Sequence, residues 1–195
     1  MNEVPSPTEH FSNYGVRLAA VLAKADFKPV ETLARTLLAC WRTGKSVYFC
    51  GNGGSAGNAI HLANDFIYGI AGGKGPGMRA HALSANPAVI TCLGNDIEFA
   101  EIYSTQIKVF GGPGDMLIAL SGSGNSPNIL KAIEAARDMG LITFAILGFS
   151  GGKAKALVET PIHFAIDDMQ ISEDLQMMVG HMVMQWLKQN ACQGG

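Results

Sequence analysis

The chain has 195 residues, 48% of them hydrophobic and 15% charged, enough apolar material for a sizeable core and too little charge for a disordered chain. A formal net charge of −2, with no run of Lys or Arg, leaves no electrostatic footprint for nucleic acid or an anionic membrane and points to small polar ligands. The 24 glycines follow no fixed period and are too many for a helical bundle, so tight turns and close backbone approaches are expected where function sits.

The N-terminal stretch MNEVPSPTEHFSNYG lacks a basic segment followed by an apolar one, and no uncharged apolar run reaches roughly 18 residues. A soluble, cytoplasmic protein with no membrane partner is expected. One domain over residues 1–195 is expected as well, with a helical segment over about 8–44 and a sheet core over about 45–190. The cysteines Cys40, Cys50, Cys92 and Cys192 lie far apart, mostly in apolar segments and without paired C-x-x-C spacing, so they read as reduced structural thiols.

Apolar residues recur at helical spacing from Phe11 to Leu22 and from Val30 to Trp41, with Pro29 in a first turn and Gly44 as a stop. Ser46 to Cys50 then reads as a buried strand, running through Gly51-Asn52-Gly53-Gly54-Ser55 into a helix to about Tyr68. The stretch Gly69 to Gly77 holds five glycines and reads either as a loop over the site or as a surface excursion. Ala80 to Leu83 predicts a short strand. Asp115 to Leu120 predicts another, followed by the loop Ser121-Gly122-Ser123-Gly124-Asn125-Ser126 and a helix from Pro127 to Met139. Ile142 to Leu147 and Pro161 to Ile166 predict two more strands, and Ile171 to Gln189 a last helix. Strands alternating with helices imply a doubly wound parallel sheet of the α/β class, with ligands at the carboxyl ends of its strands.

Both strand-to-helix loops fall at such ends. Ser121-x-Ser-x-x-Ser puts three hydroxyls just before a helix, where free N–H groups and the helix dipole favour an anion such as phosphate; simple strand termination and helix capping is the alternative. The loop Gly51 to Ser55 is neither a dinucleotide fingerprint nor a P-loop, and alone it is compatible with an ordinary turn. His61 and Asp65, four apart on a helix, share one face and suit two ligands of one metal, although a polar helix face has the same spacing.

The segments GNGGSAGNAIHLANDF, CLGNDIEFAEIY and LIALSGSGNSPNILKAIEAARDMG, with the His-x3-Gln helix near the end, resemble the sugar isomerase (SIS) domain family, and within it the phosphoheptose isomerases. The resemblance runs from about residue 30 to about residue 190. It implies a five-stranded parallel sheet in the order 2-1-3-4-5 and homotetramers with sites between subunits. It implies that Ser121, Ser123 and Ser126, with Gly122 between them, hold the phosphate, and that Asn52, Gly53, Gly54, Ser55, Asn95 and Asp96 line the sugar site. It also implies zinc held by His61, Asp65, Glu173 and His181, with Asp65, Glu173 and His181 as catalytic groups and Glu173 also at the substrate.

The chain departs from that pattern in several places. Asp65 stands for a family Glu and Glu173 for a family Gln, which leaves two alternatives: the carboxylates have exchanged roles, or the site has changed metal or substrate. Eight helical residues rise about 12 Å, so Glu173 and His181 reach one metal only from an irregular helix start or from different subunits. Gly122 replaces a hydroxyl residue and Gly69 replaces an Arg, for which Lys74 or Arg79 are the candidate substitutes. Gln170 stands near a family Asp, beside Asp167 and Asp168. His10, His81 and His163 read as surface or satisfied residues, and Met177, Met178, Met182 and Met184 as packing residues.

The resemblance implies an aldose–ketose isomerase that converts sedoheptulose 7-phosphate to a manno-heptose 7-phosphate through an enediol, with metal assistance. A non-catalytic phosphosugar-binding or protein-interaction module is the alternative from another class. An isomerase for a different phosphosugar is the third.

Overall fold

In a computed structural model, residues 6–72 and 75–190 are described; Cys192 and Lys74 fall outside them. Two helices come first. Helix α1 (Pro7–Ala23) starts at Ser6, whose Oγ accepts from Glu9 N at 3.2 Å, and α2 (Lys28–Arg42) carries Pro29 in its first turn. The sheet follows as β1 (Ser46–Gly51), β2 (Arg79–Ala82), β3 (Met116–Ser121), β4 (Ile142–Leu147) and β5 (Thr160–His163). All its pairings are parallel, in the order β2-β1-β3-β4-β5.

Alternation along each central strand divides the core into two layers. Val47, Phe49, Met116, Ile118, Leu120, Phe144 and Ile146 pack on one face against α2, α3 (Gly54–Asn64) and α8 (Met169–Asn190). Tyr48, Cys50, Leu117, Ala119, Ala145 and Leu147 pack on the other against α5 (Ser104–Phe110), α6 (Pro127–Asp138) and α7 (Ala154–Leu157). Because both faces are covered, β1 and β3 are apolar almost throughout, which is why they read as continuous runs.

The boundaries of β4 match the sequence expectation and those of the other strands lie within one residue of it, except at the end of β5, where the chain leaves the sheet after His163 instead of Ile166. Three α-helices were not anticipated, among them the four-residue α7. Helix α4 (Pro87–Asp96) is capped by Asn86, which accepts from Val89 N at 3.3 Å, yet has no fully buried residue and sets only Ile90 and Leu93 partly against the core, too short an apolar stripe to betray it. Helix α5 has only seven residues. The helix expected to reach Tyr68 is α-helical to Asn64 and then forms a π turn over Asp65–Gly69, closed by Ile70 N donating to Asp65 O at 3.1 Å.

The chain moves outward from β1 to β2, then returns to place β3 on the other side of β1. The loops after β1 and β3 therefore part from each other at the carboxyl end of the sheet and leave a crevice between them.

Candidate active site

A cleft of about 290 Å³ fills that crevice. Asn52, Gly53, Gly54 and Ser55 form one wall, Ser121, Gly122, Ser123 and Ser126 the other, and Met169 and Glu173 reach in from α8. Of the residues singled out from sequence, these nine apart from Met169 come together. Asn95 and Asp96 do not line it: they sit exposed at the end of α4, where Asn95 Nδ2 donates to Asp96 Oδ1 at 2.7 Å. Arg79 opens β2 at the amino end of the parallel sheet, away from the loops, and lines a separate pocket with Lys45 and His81; it does not stand in for the missing Arg within this chain.

The glycine loop is shaped by close approach. Gly53 has φ 55° and ψ −124°, a conformation open to glycine and strained for other residues. At Gly54 a Cβ would overlap the Glu173 carboxylate, so the missing side chain is what admits that group. Tyr103 donates its hydroxyl to Gly51 O, and burial pushes its pKa up, which keeps it a donor. Asn52 and the buried Asn128 exchange amide hydrogen bonds of 2.8 and 2.7 Å, tying this loop to the start of α6.

The serine loop is shaped by hydrogen bonds. Ser121 Oγ accepts from Gly124 N at 3.0 Å and Ser123 Oγ accepts from Asn125 N at 3.3 Å, so each hydroxyl hydrogen is left to donate to a ligand. Ser126 is the N-cap residue of α6, but its hydroxyl makes no capping bond. Plain capping therefore accounts for neither Ser126 nor the free hydrogens of the other two. The segment after β4 braces this loop: Gly148 N donates to Gly122 O (3.0 Å), Ala154 N to Gly124 O (2.9 Å) and Lys153 N to Asn125 Oδ1 (3.1 Å).

From the cleft, α3 and α8 run side by side. Asn58 Nδ2 donates to Glu173 O and to Gln176 Oε1, both at 3.0 Å, and Gln176 Nε2 donates to the buried Ser55 at 3.0 Å. Neither Asn58, Gln176 nor Asn128 stood out in the sequence, where a single amide carries no pattern. Farther along, a Cβ at Gly180 would overlap Leu62, so that glycine lets the helices touch. Beside it, His61, Asp65 and His181 converge. The His61 and His181 Nε2 atoms are 3.3 Å apart, and Asp65 Oδ2 lies 3.4 Å from the first and 3.5 Å from the second.

Among the described residues these three form a group able to hold a metal ion, their donor atoms all within 4.8 Å of one another. Two imidazoles and a carboxylate suit a divalent ion of zinc type. The His61 side chain is 52% exposed and that of Asp65 17%, so the group is open on one side. Glu173 is not part of it. Helix α8 is regular from Met169 to Asn190, and two helical turns separate Glu173 from His181.

Among the described residues, no helix is long and apolar enough to cross a membrane. Cys40, Cys50 and Cys92 are free thiols, and burial raises the Cys50 pKa to about 12, which leaves it inert.

The comparisons with known proteins agree with this architecture. The family model described as SIS domain matches residues 10–148. A phosphoheptose isomerase of Methylibium petroleiphilum is 41% identical over 140 residues, covering 71% of this chain and 70% of the relative. One from Desulfovibrio desulfuricans is 33% identical, covering 88% and 81%. The structure of a phosphoheptose isomerase from Francisella tularensis superposes with a TM-score of 0.88 at 26% identity, covering 95% of this chain and all of the other. The chain belongs to the SIS domain family, in its phosphoheptose isomerase group, and is an isomerase.

Proposed function

We propose that the chain interconverts a ketose phosphate and an aldose phosphate, with sedoheptulose 7-phosphate and a manno-heptose 7-phosphate as its pair. The observation that carries this is the cleft itself: hydroxyl donors at the start of α6 on one side, and on α3 and α8 a seam of carboxylates and imidazoles leading away from it. The phosphate sits on Ser121, Ser123 and Ser126. Asn52 and Glu173 take the sugar hydroxyls next to it, with Glu173 as acceptor. The carbonyl end extends toward His61, Asp65 and His181. Gly54 and His61 are seven residues apart on α3, about 10 Å, a span that favours a long open-chain sugar over a triose.

At the carbonyl end, the Asp65 carboxylate takes the proton from C1 of the ketose and returns it to C2, while His181 Nε2 carries the hydroxyl proton from O1 to O2. The enediol between the two steps keeps the count of protons and electrons unchanged. His61, Asp65 and His181 would also hold the divalent metal, zinc in this reading, since their donor set fits one. When bound, the metal supplies Lewis-acid polarisation of the substrate carbonyl. The remaining features of the reading are a cytoplasmic homotetramer with sites between subunits and no nucleic-acid or membrane partner. Exposed Ile60, Ile67 and Tyr68 beside the His61–Asp65 pair support a protein surface covering that edge.

The test is incubation of the protein with sedoheptulose 7-phosphate, with zinc added or removed by a chelator, followed by NMR in deuterated water. Aldose appearing with deuterium at C2 is the expected result, faster with zinc. Absence of both aldose and deuterium exchange at C1 or C2 from folded, zinc-loaded protein would sink the reading.

A further inference from the structure

Gly122 is not among the glycines with positive φ, so its backbone does not demand glycine. Space does. A Cβ at position 122 would lie 2.7 Å from Met169 Sδ, 3.2 Å from Met169 Cε and 3.5 Å from Phe149 Cε2. The thioether thus occupies the place a side chain of the serine loop would take. Met169 is also 40% exposed and lines the cleft. Its partner in this wall, Phe149, has φ 43°, which among the described residues makes it the one non-glycine residue with positive φ. That backbone is pinned on both sides: its N–H donates to Ile166 O at 3.0 Å, and its carbonyl is 2.9 Å from His163 Nε2. A strained residue held in this way beside a ligand loop is a sign of a position with a task.

We propose that Met169, backed by Phe149, is the specificity-determining residue at the phosphate end of the cleft. It admits phosphate esters of primary alcohols and turns away those of secondary alcohols. This rests on the reading of Ser121 to Ser126 as the phosphate loop. With phosphate on that loop, the ester carbon leaves it between the Gly53–Gly54 wall and the thioether. A CH2 group passes through this gap; a second carbon branch on the ester carbon meets sulfur on one side or backbone on the other. The sugar that fits carries its phosphate at a chain end.

The probes are inorganic phosphate, glycerol 3-phosphate and glycerol 2-phosphate, titrated into the full chain and into Met169→Ala, Gly122→Ser and the double variant. Alanine suits the first turn of α8, so the fold is retained. The parent should bind the primary ester about tenfold more tightly than the secondary one, and Met169→Ala should bring the two within about threefold, the scale on which one apolar group discriminates. Affinity for inorganic phosphate should not change in Met169→Ala. Gly122→Ser should weaken the primary ester, and adding Met169→Ala should restore it. Equal discrimination in the parent and in Met169→Ala overturns the proposal, as does a silent Gly122→Ser. Failure of even inorganic phosphate to bind the parent instead removes the phosphate loop on which the proposal stands, so the two failures are told apart.

Discussion

The units β1–loop–α3 and β3–loop–α6 share one architecture and put opposite chemistry into the same cleft. In the first, the loop contributes little beyond absence: Gly54 makes room for the Glu173 carboxylate, and the groups able to react stand later on the helix, at His61 and Asp65. In the second, the loop itself is the functional part, with serine hydroxyls whose oxygens are engaged by backbone N–H groups and whose hydrogens are free. Strand, turn and helix fix where a ligand can sit; whether the turn offers space or donors decides what it does there. Helix α8 serves both, with Met169 over the serine loop and His181 against the helix of the glycine loop.

The sharpest way to break this division of labour is Asp65→Asn. It removes the assigned base and a metal donor at once, and kcat should fall by about 100-fold to 10,000-fold while glycerol 3-phosphate still binds. Glu173→Gln, next to the loops, should instead raise KM and leave kcat within about threefold. If Glu173→Gln were the variant that abolished deuterium incorporation, the base would belong at the cleft and the assignment would reverse. Gly180→Ala comes next. Its methyl group would meet Leu62 and push α8 from α3, with a cost of about 1–3 kcal/mol in denaturant unfolding and weaker zinc binding by isothermal titration. Unchanged zinc affinity would show that His181 does not need this contact.

Much of the division is visible in the sequence itself. The central strands β1, β3 and β4 are, because both sheet faces are covered and their residues form unbroken apolar runs; α4 is not, because only Ile90 and Leu93 pack partly against the core and leave too short a period to read. His61 and Asp65 announced their shared face by spacing alone, whereas the approach of His181 depends on Gly180 and Leu62, residues far apart in the chain that touch only after α3 and α8 dock. Glu173 was expected with the metal donors. Within one chain it stands at the cleft, because α8 stays regular and holds it two turns from His181, which leaves only the arrangement in which different subunits contribute the two. Direction along a parallel strand also settles Arg79: as the first residue of β2 it must lie at the end opposite the loops. Met169 had no signal, since nothing in a Gly and a Met 47 positions apart states that one fills the space of the other.

A smaller effect tests the serine loop. Ser126→Ala should reduce glycerol 3-phosphate affinity by about tenfold, as loss of one hydrogen bond to a charged group does, and leave the melting temperature unchanged because the hydroxyl does not cap α6. A fall in stability of about 1 kcal/mol, the usual loss for a working cap, would return Ser126 to a structural role.

The smallest effect comes from acid, and it acts on both units through α8. Asp168 caps that helix: Ile171 N donates to its Oδ1 at 3.1 Å, and Arg17 Nη1 to its Oδ2 at 2.7 Å. The backbone bond from Ile171, followed by the Arg17 contact, holds the Asp168 pKa below its ordinary 3.8. A carboxylate with a depressed folded-state pKa stabilises the fold fully above its ordinary value and loses that contribution as pH falls through the folded value. Stability should therefore be level from neutral pH down to about 4 on this account and then decline, with Asp168→Asn flattening the decline and costing about 1 kcal/mol or less at pH 7, since asparagine still caps. Because Met169 and Glu173 stand in the first two turns of α8, near-ultraviolet circular dichroism and glycerol 3-phosphate binding should weaken over the same acid range. An acid decline of the same size in Asp168→Asn would place the titrating group elsewhere and separate the cap from the site it holds.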